Sequence, residues 1–238
     1  LKSVAEARPK HVQSDRKAFY ELLGHRLEYA GDGTIVEPYD PKRVCLPEGQ
    51  VTPVSLQSVL DPATWESIRV CHILADAAVI AHRQNNFQIQ KYIVVVLRSN
   101  TSARLAFLSR LYSCGILGFS QTRHAEVSPF FVKKKLGRQR LVLDCRQANQ
   151  CFRNPPRPDL GCADSLQNLE TSSDFPPFIG SADIENCFYQ CGILPELSEW
   201  LAFAGEHASF ASRLGCTLDI WGNPLPQRGT IYPVLLVL

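Results

Sequence analysis

The sequence contains no long apolar run, although 45% of its 238 residues are hydrophobic. No stretch approaches the roughly 20 apolar residues that a membrane-spanning helix needs. No apolar segment of the signal-peptide type stands at the amino terminus. Internal repeats and low-complexity tracts are also missing. We therefore expect an ordinary globular chain that does not enter a membrane and that works inside the cell, in the cytoplasm or the nucleus.

The sequence also lacks the cysteine and histidine spacings that hold metals. Nine cysteines are present, but no two form a tight Cys-x-x-Cys pair. The closest spacing, Cys187 to Cys191, has no matching His or Cys pair at zinc-finger spacing. The six histidines are scattered, without a nucleophile motif near them. We therefore expect reduced thiols and no structural zinc site.

Acidic residues are scarce in one segment, between Lys133 and Arg157. This segment has a single acid, Asp144, and the following eight basic residues: Lys133, Lys134, Lys135, Arg138, Arg140, Arg146, Arg153 and Arg157. It carries a net charge of +7, which leaves −5 for the rest of a chain whose total is +2. Such an asymmetry is typical of a local surface that binds polyanions. The sequence therefore predicts a polyphosphate or nucleic-acid partner.

The region before residue 100 shows helical patterns around an irregular connection. Apolar residues at helical spacing predict an amphipathic helix over Val12–Ala30. Several prolines make the next stretch, up to residue 62, a long irregular connection. Asp61 followed by proline is typical of a helix start and predicts a helix to about His82. Ile93–Leu97 fits either a buried strand or a continuing helix.

The basic segment opens with a predicted β-hairpin. The hairpin spans Phe130–Asp144, with Leu136-Gly137 in the turn. Before it in the chain, a helix is predicted that is capped at Asn100 and ends at Gly115. Long cationic side chains on both sides of a glycine turn can converge on one polyanion. The alternative is an edge hairpin that its lysines protect from aggregation.

A second candidate site lies about 40 residues further along. Asp183 follows the short apolar run Phe178–Gly180, so we expect it where a strand leaves the core. A carboxylate held at a strand end is a suitable ligand for a hard cation such as Mg²⁺. The alternative is an aspartate that caps a short helix.

Four segments, in this order and at these spacings, resemble the reverse transcriptases of retroelements, which are RNA-directed DNA polymerases. They are Gly115–Leu117 with the helix before it, Ser128–Lys135, Arg140–Asn149 and Ala182–Phe188. The resemblance covers roughly residues 100–238. It implies an α+β fold in which residues 100–238 form the fingers and part of the palm, an antiparallel sheet with packed helices. Residues 1–99 are then a mainly helical amino-terminal region without an assigned role.

The resemblance implies catalytic and nucleotide-binding roles. Asp183 matches the first metal-binding aspartate, with the backbone carbonyl of Ile184 beside it. Lys134 and Arg140 match residues that contact the triphosphate, and Lys133 or Lys135 take that place if the register shifts by one. The remaining nucleotide-binding residues are Asn186 and Cys187, through their backbone N–H groups, and Phe188, under the sugar. A large aromatic ring at that place leaves no room for a 2′-hydroxyl, so the substrates implied are deoxynucleotides.

The resemblance also implies partners and cofactors. The template-contacting residues expected are Lys133, Lys135, Arg138, Arg146 and Asn149, with Asp144 packed behind the hairpin. The cofactor expected is Mg²⁺ or Mn²⁺, two ions in the complete enzyme. The partners are an RNA or DNA template-primer and dNTPs, and the oligomeric state is left open.

One departure from the family bears on activity. The family's glycine-containing segment and its Asp-Asp hairpin do not occur before Leu238, and the sequence has no Asp-Asp pair. Glu185, two residues from Asp183, is a poor substitute. We therefore expect a truncated polymerase domain. The alternatives are a non-catalytic nucleic-acid-binding remnant of such an enzyme and an unrelated α+β domain with a basic edge hairpin.

Overall fold

The computed structural model describes residues 36–87, 89, 94–155, 184 and 186–237. In chain order its elements are β1 (Val36–Glu37), β2 (Val44–Cys45), β3 (Val54–Ser55), α1 (Leu56–Val59), α2 (Pro62–Ser67), α3 (Val70–Ile73), α4 (Ala77–Asn86), α5 (Val95–Ser99), α6 (Thr101–Ser113), β4 (Leu117–Ser120), β5 (Ser128–Lys133), a 3₁₀ turn (Lys135–Gly137), β6 (Gln139–Asp144), α7 (Arg146–Asn149), α8 (Cys187–Gln190), β7 (Cys191–Gly192), α9 (Pro195–Ser198), β8 (Glu206–His207), α10 (Ser209–Arg213) and β9 (Thr230–Leu235). These residues combine mixed sheets with helices, an α+β arrangement. None of the helices described is long and apolar enough to cross a bilayer.

The chain divides into two compact units. The first contains Leu1–Leu46, Lys91–Phe107 and Ser128–Asp144; the second contains Pro47–Gln90, Leu108–Val127 and Cys145–Leu238. The helix predicted over Val12–Ala30 and the strand predicted before Asp183 lie outside the described residues. The eight cysteines that the structure describes are all free thiols.

The first unit is built on a four-stranded sheet in the order β1-β5-β6-β2. β5 and β6 form the predicted antiparallel hairpin, in register from Ser128 opposite Asp144 to Lys133 opposite Gln139. β1 pairs with β5 antiparallel, and β2 pairs with β6 parallel. On one face of the sheet, Phe131 packs against Phe107 and Tyr39, with ring centroids 5.7 and 4.8 Å away. Phe131 is fully buried, so this cluster fixes the hairpin to its unit.

A buried glutamine holds the hairpin to the connection between β1 and β2. Gln139 has no exposed surface. Its amide nitrogen donates to the Pro38 carbonyl at 2.7 Å and to Glu37 Oε2 at 3.1 Å, and its Oε1 accepts from Asp40 N–H at 3.0 Å. Because its amide nitrogen and oxygen are hydrogen-bonded, Gln139 avoids the free-energy cost of an unpaired buried polar group.

The second unit has a three-stranded antiparallel sheet in the order β4-β9-β8. β9 is therefore its central strand. The two-residue strands β3 and β7 form a separate parallel pair. Apolar side chains from the end of α6, from the residue before β4, and from β4 and β9 form the core. Those with almost no exposed surface are Leu111, Ile116, Leu117, Phe119, Ile231, Val234 and Leu235.

Two helix starts agree with the sequence patterns. Asp61 Oδ1 accepts from the N–H groups of Ala63 and Thr64, at 3.0 Å each, at the start of α2. Asn100 Oδ1 accepts from Ala103 N–H at 3.0 Å at the start of α6. α6 is followed by Gly115 at φ +74°, a backbone conformation that glycine adopts without strain. The sequence left a strand or a helix open at residues 93–97. Where the structure describes this segment it is helical from Val95, the first residue of α5.

The single helix predicted from Asp61 to His82 is wrong. The backbone is extended at Arg69 and Asp76, which separates α2, α3 and α4. Between α3 and α4 the chain pairs with a remote segment: Ala75 N–H donates to the Cys151 carbonyl at 2.9 Å, and Arg153 N–H donates to the Ile73 carbonyl at 2.7 Å. Tertiary hydrogen bonds therefore override the local helical pattern.

The predicted irregular connection up to residue 62 is wrong in part. It contains the short strands β1, β2 and β3 and the short helix α1, each of two to four residues. The prolines keep these elements short, but they do not prevent pairing with strands elsewhere in the chain.

Candidate nucleic-acid interface

The hairpin tip is a three-residue turn. Lys134 N–H donates to the Arg138 carbonyl at 2.8 Å, which leaves residues 135–137 to reverse the chain. Leu136 and Gly137 both have left-handed backbones, with φ of 60° and 70°. Arg43 supports the turn through a hydrogen bond of 2.5 Å from its Nε to the Gly137 carbonyl. The tip therefore has a defined conformation.

The register of the hairpin sorts its cations by face. In an antiparallel pair, residues opposite each other lie on the same face, and neighbours along a strand lie on opposite faces. Arg140 is opposite Val132, and the Lys134–Arg138 hydrogen bond continues that register. Both Lys134 and Arg138 have extended backbones. Lys134, Arg138 and Arg140 therefore share one face, while Lys133 lies on the other face with Gln139.

These cations are exposed, and no described acidic side chain neutralises them. The side chains at positions 133, 134, 135, 138 and 140 all lie on the surface. Across the described ranges, no carboxylate is within 4 Å of any of them. Arg43, by contrast, lies 2.7 Å from Glu37 Oε2. The field of the tip is therefore available to an anion from outside the unit.

The other expected site residues that the structure describes belong to the second unit. Arg146 and Asn149 are the first and last residues of α7, and both are exposed. Asn186 precedes α8 with a left-handed backbone, φ 53°. Cys187 and Phe188 form the first turn of this short helix, and 74% of Phe188 is exposed.

Asp183 lies outside the described residues, and Ile184 beside it is 61% exposed. No group of three or more His, Cys, Asp or Glu side chains that could hold a metal ion is found in the part of the chain that the structure describes. The magnesium expectation therefore depends on Asp183 and on the resemblance, and the described residues do not test it.

A polar cluster that the sequence patterns did not indicate lies in the second unit. Glu199 Oε1 accepts hydrogen bonds from Ser120 Oγ at 2.7 Å, from Trp221 Nε1 at 2.9 Å and from Thr122 Oγ1. His124 Nε2 is 3.4 Å from Glu199 Oε2. Burial opposes ionisation of this carboxyl, but the three hydrogen bonds and the nearby histidine outweigh it and lower the pKa of Glu199.

A neighbouring carboxylate, Asp219, organises a tight loop. Its Oδ1 accepts from the backbone N–H groups of Trp221 and Asn223, at 2.9 and 2.8 Å. Together the two carboxylates border a cavity of about 470 Å³ lined by Ser120, Gln121, Thr122, Glu199, Asp219, Trp221 and Asn223. The loop has a sequence indication in Asp219 followed by Gly222 and Asn223, which are typical turn residues. Glu199 has none, since its hydrogen-bond donors are remote in sequence.

Comparison of the chain with family models, with curated proteins and with solved structures finds no match in any of the three. The strongest grouping of expected site residues is the one on the hairpin, where Lys134, Arg138 and Arg140 share a face. A functional assignment therefore starts from these three side chains.

Proposed function

We propose that this chain is the fingers and first half of the palm of a retroelement reverse transcriptase, and that its basic hairpin binds the phosphates of nucleic acid and of an incoming dNTP. The observation that carries the proposal is the common face of Lys134, Arg138 and Arg140. The sequence resemblance assigns Lys134 and Arg140 to the triphosphate. The hairpin register places both side chains on one face, which supports this assignment over the alternative with Lys133 or Lys135 in place of Lys134.

The geometry of a hairpin suits this role. Side chains opposite each other, such as those at positions 134 and 138, start about 5 Å apart at Cβ. Arg138 is the residue before β6 and Arg140 is the second residue of β6, so their Cα atoms are about 7 Å apart. Three long cationic side chains from these positions can reach one triphosphate or two neighbouring phosphates. The arginine guanidinium groups add bidentate hydrogen bonds that a lysine cannot make.

Binding to labelled single-stranded RNA and DNA, measured by fluorescence anisotropy over a range of salt concentrations, tests the proposal. We expect affinity to fall steeply as salt rises, with little dependence on sequence. Lys134→Ala and Arg140→Ala should each weaken binding and reduce the slope of log affinity against log salt by about one. Arg228→Ala, an exposed cation outside the hairpin, is the matched control and should leave the slope unchanged.

Two results would contradict the proposed role of the hairpin. The first is an affinity that does not change between about 50 and 200 mM salt. The second is equal slopes for the hairpin variants and the Arg228→Ala control. Either result would leave the lysines without a role in binding. Protection of a sheet edge would not explain them, because β5 and β6 are the two inner strands of their sheet.

A further inference from the structure

The most exposed apolar side chain at the hairpin tip is Leu136. It is 98% exposed, and its backbone is left-handed, with φ 60° and ψ 31°. For a residue with a Cβ this conformation costs roughly 1–2 kcal/mol, which glycine or asparagine largely avoids. The sequence has placed a leucine where both the backbone and the solvent disfavour it.

The surrounding hydrogen bonds hold Leu136 in this conformation. Lys134 N–H bonds the Arg138 carbonyl at 2.8 Å, on either side of the turn. Arg43 Nε bonds the carbonyl of Gly137, the next residue, and Arg43 is itself held by Glu37 at 2.7 Å. Strained residues that are fixed by their surroundings occur mainly where a protein binds or switches. The tip therefore presents the leucine in one direction.

We propose that Leu136 is an apolar wedge that enters the base stack of a nucleic acid whose phosphates are held by Lys134, Arg138 and Arg140. The inference rests on the proposed phosphate-binding role of the hairpin and adds a contact with the bases. Leu136 is two residues from both Lys134 and Arg138, so it lies within about 7 Å of each along the chain. Phosphates held by these cations bring a base step to the leucine.

Charge and apolar area favour nucleic acid over a lipid surface. Single apolar side chains, leucine among them, are known to enter base steps beside cationic contacts to the backbone. Burial of one leucine contributes about 1.5–3 kcal/mol. Stable attachment to a membrane needs a broader apolar face, and the residues around Leu136 at the tip are cations and a glycine.

The test uses RNA and DNA oligonucleotides that carry 2-aminopurine, a base whose fluorescence rises when it is unstacked. The wild-type chain should raise the fluorescence on saturation. Leu136→Ala and Leu136→Asn should reduce that rise by at least about twofold while leaving the salt slope of binding unchanged. Leu136→Met, a side chain of similar size, should retain it. Leu218→Ala, at an exposed leucine of the second unit, is the matched control.

The variants also separate a wedge from an incidental surface leucine. Leu136→Asn should be as stable to urea as the wild type or more so, because it relieves the left-handed backbone. A lost fluorescence rise in this variant therefore cannot come from unfolding. An unchanged rise in both Leu136→Ala and Leu136→Asn overturns the wedge and leaves the phosphate-binding role intact.

Two further outcomes also overturn the wedge. Absence of salt-dependent binding by the wild type removes the proposed function and the wedge together. Binding of the wild type to vesicles of phosphatidylserine and phosphatidylcholine that Leu136→Ala abolishes, with an unaltered 2-aminopurine response, assigns the leucine to a lipid surface instead.

Discussion

At the scale of single residues, Glu199 shows how one carboxylate can tie together separate segments. Its donors come from β4, from the residues that follow β4 and from the loop after α10. Because Oε1 accepts three hydrogen bonds, the ionised form is favoured despite its burial. The arrangement explains why a glutamate with only 7% of its surface exposed is tolerated in the second unit.

The lowered pKa of Glu199 predicts an acid-sensitive contribution to stability. Since the folded pKa lies below the unfolded value of about 4.5, the contribution is present above pH 4.5 and is lost as the pH falls through the folded pKa. Glu199→Gln should lower the free energy of unfolding at pH 7 by about 1–2 kcal/mol, through the loss of charge-assisted hydrogen bonds. Urea unfolding of the wild type and of Glu199→Gln at pH 7 and below pH 4.5 gives the free energy of unfolding with Glu199 ionised and with Glu199 increasingly protonated.

Glu196→Gln, at a half-buried glutamate in the same unit that makes only a surface ion pair with Arg69, is the control and should change stability little at either pH. A difference between wild type and Glu199→Gln that stays the same, or grows, in acid would show that the charge of Glu199 does not stabilise the fold.

The hairpin and its glycine-containing turn were predictable, because strand alternation and turn residues act locally. The resemblance assigned Lys134 and Arg140 to the phosphates and left the register open by one residue; the register of the hairpin places these two side chains on one face. Glu199 was not predictable, because Ser120 and Thr122 are remote from it in the sequence and no local pattern joins them. Asp183 stays a prediction.

At the scale of elements, the hairpin depends on the buried amide of Gln139. This side chain donates a hydrogen bond to the Pro38 carbonyl and accepts one from the Asp40 N–H. The sequence predicts the hairpin and the start of α6 because turn and cap residues act locally. It does not predict the break between α3 and α4, which comes from pairing with residues 151–153.

Replacement of Gln139 by leucine should destabilise the first unit. The substitution removes three partly buried hydrogen bonds, to the Pro38 carbonyl, to Glu37 Oε2 and from the Asp40 N–H, which costs about 2–4 kcal/mol. We expect a lower urea midpoint and a weaker salt dependence of RNA binding, because the hairpin loses its attachment. Gln57→Leu, at an exposed glutamine of the second unit, is the control. A midpoint equal to that of the control would show that Gln139 is not a brace.

At the scale of the whole molecule, the resemblance implies an α+β arrangement, and the mixed sheets and helices of the described residues agree with that coarse class. The division into two units does not follow from it, because each unit is assembled from segments that are interrupted by the other. The proposed catalysis is also a question for the whole molecule, since a two-metal site needs carboxylates from more than one segment.

Primer extension tests the catalytic part of the proposal. Because the sequence has no Asp-Asp pair, we expect no extension by the 238 residues alone with Mg²⁺ or Mn²⁺. We expect extension by a longer polypeptide in which native sequence supplies that pair. In that polypeptide, Asp183→Ala should abolish synthesis, and Phe188→Ala should mainly relax discrimination against ribonucleotides.

Phe87→Ala, at an exposed phenylalanine outside the expected site, is the control for Phe188→Ala and should retain discrimination between dNTP and rNTP lanes. Extension by the 238 residues alone would show that the requirement for a second carboxylate segment is wrong. Full activity of Asp183→Ala would overturn the role of that aspartate. A longer polypeptide that binds RNA but never extends a primer is a nucleic-acid-binding remnant.

The central place of β9 in the second unit has a consequence for synthesis on the ribosome. All segments of the first unit precede residue 145, whereas the sheet of the second unit is incomplete until Leu235 has emerged. At 5–20 residues per second, the roughly 90 residues between them take about 5–20 s. During that interval β4 lacks β9, the strand with which it pairs, while all four strands of the hairpin's sheet have already been made. The nascent chain thus carries a cationic surface beside the messenger RNA that encodes it before its own second unit can close.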